Sequence, residues 1–125
     1  MFGNASLHAT LPAADLERAK GWYAEKLDLN PVEEDDIGGA WYEMGGVPFL
    51  LYASDFAGTN QATAASISVD DFDGAVAGLR GRGVVFEELD MGEMKTEDGV
   101  LTLPDGRKAA WFKDSEGNTL AITKM

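Results

Sequence analysis

The amino-acid sequence predicts an α+β fold built from two copies of one βαβββ unit, and three observations carry that prediction. Ala14-Asp15-Leu16-Glu17-Arg18-Ala19 aligns with Asp70-Asp71-Phe72-Asp73-Gly74-Ala75, so that Asp15 and Asp71 stand 56 positions apart. Val32-Glu33-Glu34 aligns with Phe86-Glu87-Glu88 at a separation of 54. Residues 110–122 read strand, tight turn, strand: Asp114 and Asn118 can hydrogen-bond neighbouring backbone, and Gly117 supplies positive φ. A four-stranded unit with one helix leaves a sheet face that a second copy can cover.

Residues 6–11 alternate, with Leu7, Ala9 and Leu11 on one face and Ser6, His8 and Thr10 on the other; Pro12 is expected to end regular pairing. Asp15 is a natural N-cap for a helix over 16–29, where Leu16, Ala19, Tyr23 and Leu27 form an apolar stripe widened by Trp22. Asn30-Pro31 breaks that helix, and the acidic run 32–36 reads as a solvated edge strand. Segments 40–44 and 48–53 form a hairpin across Gly45-Gly46, and the polar stretch 54–63 connects the halves. In the second half, 64–69 is a strand, Asp70-Asp71 caps a helix through Leu79, and Gly83 closes it. Residues 84–88 are expected to form a strand, 91–99 a long polar loop, and 100–103 and 107–113 the strands that lead into the last hairpin. The expected layout is one domain over 1–125, with a first module at 5–54, a connector at 55–62 and a second module at 63–125.

The composition narrows the functional classes. An apolar content of 45% in 125 residues suffices for one ordinary core. No cysteine is present, which removes disulfides, thiolate nucleophiles and Cys-ligated metals. The formal net charge of -12 repels polyanions, so nucleic acid and anionic membrane are not expected partners. The first residues lack the pattern of a signal peptide, and no apolar run reaches the ~20 residues that span a bilayer; the expected location is the cytoplasm. Gly38-Gly39 and Gly45-Gly46 lack the strand, Gly-rich loop, helix order of a phosphate loop.

Three stretches taken in order give a resemblance: Asp15-Leu16-Glu17-Arg18-Ala19 with Trp22-Tyr23 and Leu27; Val69-Asp70-Asp71-Phe72 with Leu79 and Gly83-Val84; and Phe112-Lys113-Asp114-Ser115-Glu116-Gly117-Asn118. Over nearly its whole length the chain resembles the vicinal oxygen chelate superfamily of glyoxalases, fosfomycin and bleomycin resistance proteins and extradiol dioxygenases. The resemblance implies two curved sheets forming a cup, often shared with a second subunit, and a divalent metal held by inward-facing His and Glu. His8, seven residues before Asp15, matches the family's first-strand ligand. The other three implied positions fall on Ala64, Leu50 and Ala121, whose side chains cannot coordinate a metal. No metal site and no cofactor are therefore expected, although Glu43, if it faced the cup, would give His8 one companion ligand for a divalent ion.

Alternation places Trp41 and Glu43 on one face with Leu50 and Tyr52, and pairing across the last turn places Trp111 with Ala121 while Phe112 and Leu120 go to the core. The candidate ligand-binding residues are thus His8, Trp41, Leu50, Tyr52, Ala64, Trp111 and Ala121, and the candidate catalytic residues are His8 as general base and Glu43 as its orienting partner. Of the aromatic set, Trp22, Tyr42, Phe49 and Phe112 are candidates for the core. The expected function is a metal-independent, dimeric binder of an aromatic or cationic small molecule. The alternatives are a glyoxalase-like lyase or isomerase working through His8, and an accessory or regulatory binding module without turnover.

Overall fold

The computed structural model describes residues 1–124; Met125, the last residue of the expected second module, lies outside them. Among the described residues, ten strands and two helices follow the order β1 (Ala9–Ala13), α1 (Leu16–Leu27), β2 (Glu33–Glu34), β3 (Gly39–Met44), β4 (Val47–Ala53), β5 (Thr63–Ser68), α2 (Phe72–Gly81), β6 (Asp90–Met91), β7 (Met94–Lys95), β8 (Leu101–Thr102), β9 (Lys108–Lys113) and β10 (Thr119–Lys124). They form two four-stranded sheets, ordered β1-β4-β3-β2 and β5-β10-β9-β8, and a small β6-β7 ribbon. In each sheet the first strand of the module runs parallel to the strand beside it, β1 to β4 and β5 to β10, and the remaining pairs are antiparallel. This is the duplicated α+β architecture that the repeat predicts.

Local chemistry sets the elements. Asp15 caps α1 by accepting the Arg18 N–H at 3.1 Å, and Asp71 caps α2 by accepting the Gly74 N–H at 3.0 Å. Helix α1 stops two residues earlier than the spacing suggests, because Asp28 turns left-handed at φ 56° and the Leu29 N–H returns to the Tyr23 carbonyl. Met44 pairs with Val47 around Gly45 and Gly46, at φ 59° and 78°, the two positive values that a tight two-residue hairpin turn needs.

Three expectations need correction. The first strand begins at Ala9 rather than residue 6 and runs through Pro12. Proline is tolerated because β1 is an edge: the Ala13 carbonyl accepts the Ser54 N–H on the β4 side, so Pro12 faces the open side, where its missing N–H breaks no ladder. Residues 84–88 form no strand beyond a single bridge of Phe86 with Phe112. The outer edge of β9 is already taken at Lys108 and Ala109 by β8, which leaves 84–88 only the Trp111–Phe112 end, where the Glu87 N–H reaches the Trp111 carbonyl. The polar stretch 91–99 is not simply a loop, since β7 lies within it and pairs with β6.

Both helices cover the same side of their sheets. Ala19 and Tyr23 of α1 and Phe72 and Val76 of α2 are buried in one core with Leu11, Tyr42, Leu51, Phe112, Leu120 and Ile122. The modules interlock through the last hairpin. Trp22 stacks on Phe112 with ring centroids 6.2 Å apart, and the Tyr23 hydroxyl donates to Asp114 Oδ2 at 2.7 Å. Asn118 Nδ2 donates to the Pro12 carbonyl at 2.9 Å, filling the acceptor that the edge position leaves free. Glu116, whose side chain is fully shielded from solvent, accepts the Asp15 N–H, Arg18 Nε and Arg18 Nη2, each at 2.9 Å, and Ser115 Oγ at 2.7 Å. The Arg18 guanidinium, helped by the Ser115 hydroxyl and Asp15 N–H against the cost of burial, lowers the Glu116 carboxyl to about 2. Burial, reinforced by the neighbouring Asp114, pushes the Tyr23 hydroxyl far above its ordinary range and keeps it a donor.

Candidate ligand-binding face

The faces turned away from the helices carry the sequence-predicted site. In the first sheet, Trp41 sits opposite Leu50, Glu43 opposite Pro48, and Leu50 beside Thr10. Alternation then gathers Trp41, Glu43, Leu50 and Tyr52 on one face with Thr10 and His8. His8 lies one residue before β1, is exposed, and meets the Trp41 ring edge-on at a centroid distance of 4.8 Å. Glu33 pairs directly with Trp41 on the far side, which puts a second carboxylate on this face. Leu50, Trp41 and Tyr52 are half-buried and Glu33 and Glu43 are exposed, so the aromatic surface is open to solvent and flanked by negative charge.

The second sheet offers a smaller patch. Trp111 is half-buried opposite the buried Ala121, which also neighbours Ser66 of β5. A register shift between Thr119 and Leu120 leaves Ala64 exposed between the paired Thr63 and Ala65. Thr63 is the β5 residue that meets the indole: its Oγ1 accepts from the Trp111 Nε1 at 3.1 Å and fixes the plane of that ring. No pattern along the chain points to Thr63, because a bulge of one residue decides which side chain of β5 faces Trp111.

The donor set is a poor match for a divalent metal. Ala64, Leu50 and Ala121 stand where the family resemblance implies ligands, and among the described residues no three His, Asp or Glu side chains converge. Among the described residues, no hydrogen bond or ion pair joins His8 to Glu43. The arrangement is suited instead to contact: two indoles, a phenol and an imidazole present apolar faces and edges, with carboxylates at the margin.

Comparison with known proteins agrees with this architecture. The sequence matches the family described as Glyoxalase/Bleomycin resistance protein/Dioxygenase superfamily over residues 5–122. Among curated proteins none matches it. Solved structures with the same fold include a lactoylglutathione lyase from Agrobacterium tumefaciens, with 16% identity, a TM-score of 0.72, and 97% of this chain and 93% of that one covered. A superfamily member from Sphaerobacter thermophilus has 22% identity and a TM-score of 0.71, with 97% and 98% covered. A glyoxalase/bleomycin resistance protein from Catenulispora acidiphila has 21% identity and a TM-score of 0.70, with 96% and 97% covered. At these identities the structures speak for the fold alone, while the sequence match spans nearly the whole chain: the protein belongs to the glyoxalase/bleomycin resistance protein/dioxygenase superfamily.

Proposed function

We propose that this chain binds a small aromatic cation on the face formed by His8, Trp41, Leu50 and Tyr52, with Trp111 and Ala121 contributing from the second sheet, and that it does so without a metal. The observation that carries this reading is the pairing of Trp41 with Glu33 and Leu50, with the His8 ring against its edge. An indole face attracts a cation through its quadrupole, and adjacent carboxylates add Coulomb attraction, strengthened by the overall charge of -12. Alanine and leucine at the implied ligand positions support independence from metal. A cup completed by a second copy of the chain belongs to the same proposal.

Metal analysis of protein purified without chelator, for the native chain and His8→Ala, tests the reading together with a thermal-shift screen against aromatic and cationic small molecules. The expected result is substoichiometric metal in both proteins and stabilisation by flat aromatic cations. Stoichiometric zinc, nickel or manganese that is lost in His8→Ala would instead favour a metal-dependent lyase or isomerase.

A further inference from the structure

On the opposite, helix-covered side, a cavity of roughly 370 Å³ opens at the seam between the two modules. Leu11, Tyr23, Leu27, Phe49, Ile67 and Leu120 line it, and no described residue of its wall carries a charge. Protein interiors hold few voids larger than one water, whereas ligand pockets run from about 300 to 1,000 Å³ and an apolar cavity of about 150 Å³ already accepts benzene. The Tyr23 hydroxyl is committed to Asp114, so only its ring is available to an occupant.

The seam also supplies a polar handle. The Val69 N–H reaches the Thr123 carbonyl, and Ser68 is in register with Thr123, so the odd-numbered residues of β5 direct their backbone groups to β10. Ser66 and Ser68 must then direct their N–H and C=O to the other edge, where β5 pairs with no strand among the described residues. Both residues border the cavity. An apolar, uncharged chamber with backbone donors and acceptors along one rim suits a molecule with a flat apolar body and one hydroxyl, carbonyl or amide.

We infer that this cavity is a second ligand site, distinct from the aromatic face and selective for a neutral, compact, mostly apolar molecule held by the Ser66–Ser68 edge. Its apolar walls, Leu11, Tyr23, Phe49 and Leu120, face away from Trp41 and Trp111, so occupancy of the chamber leaves the two indoles open. Isothermal titration of the full chain with 2-naphthol tests it. Saturable binding of one equivalent is expected, weakened about tenfold or more in Ala65→Leu, which fills the chamber, and changed less than about twofold in Trp111→Ala. Val47→Trp, at the exposed rim, blocks entry without altering the core and gives the same loss if Ala65→Leu does not fold. The inference is overturned by absence of saturable binding to the native chain. It is equally overturned by loss of binding in Trp111→Ala with retention in Ala65→Leu and Val47→Trp. A change of sedimentation coefficient in those two variants with naphthol binding unaltered would assign the cavity to a second copy of the chain.

Discussion

Replacing Glu116 by glutamine should cost about 2 kcal/mol at neutral pH, and the cost should vanish in acid. The carboxylate sits in the last hairpin but accepts from Asp15 and Arg18 of the first module, so it ties the modules together at one point. A carboxyl held at about 2 in the folded chain against an ordinary 4.5 corresponds, at about 1.36 kcal/mol per decade, to about 3 kcal/mol of preference for the ionised folded state. Arg18 leaves 55% of its side chain in water, and screening of that partner brings the figure to about 2 kcal/mol. Since the folded value is the lower one, the contribution is complete above the ordinary 4.5 and drains as pH falls towards about 2. Urea unfolding of native and Glu116→Gln protein at pH 6.5, 4.5, 3.5 and 2.5 measures it. A gap of about 2 kcal/mol that narrows with acidity supports the argument; a gap below about 0.5 kcal/mol at pH 6.5, or one independent of pH, refutes it.

Tyr42 is fully buried and, among the described residues, its hydroxyl has no partner; burial pushes that hydroxyl up to about 12. Tyr42→Phe should therefore be neutral or stabilising by up to about 1 kcal/mol, where loss of a satisfied buried hydroxyl would cost 1–3 kcal/mol in denaturant unfolding. Tyr23→Phe tests the contrasting case, since it strips a donor from the buried Asp114, and should cost about 1–3 kcal/mol. Gly117→Ala should lose more than about 2 kcal/mol: φ is 86°, and an added Cβ would meet Gly58 Cα of the connector at 2.9 Å. A Tm within a degree of the native value would mean that the connector moves aside freely.

What the sequence disclosed and what it concealed divide along the range of the interactions involved. Asp15, Asp71 and the 114–118 turn announced their elements because caps and turns are satisfied within a few residues. The face shared by Trp41 and Leu50 followed from a two-residue turn and strand alternation, both local. Residues 84–88 misled, because a strand also needs a free partner edge, and β8 had taken it from 13 or more positions away. Pro12 misled in the opposite sense, since only the sheet order reveals that its nitrogen faces an open edge. Glu116 read as one more polar turn residue, although its carboxylate is an inter-module tie with a partner 98 positions away. The cavity at the β1–β5 seam depends on how the modules meet, which no periodicity within either module encodes.

The most direct test of metal-free binding by the aromatic face is a fluorescence titration of 9-aminoacridine, a flat aromatic cation, into the native chain and Trp41→Ala with and without excess EDTA. Saturable binding that EDTA leaves unchanged and that Trp41→Ala weakens about tenfold is the predicted result. Binding that requires an added divalent metal, or that Trp41→Ala leaves intact, would contradict it.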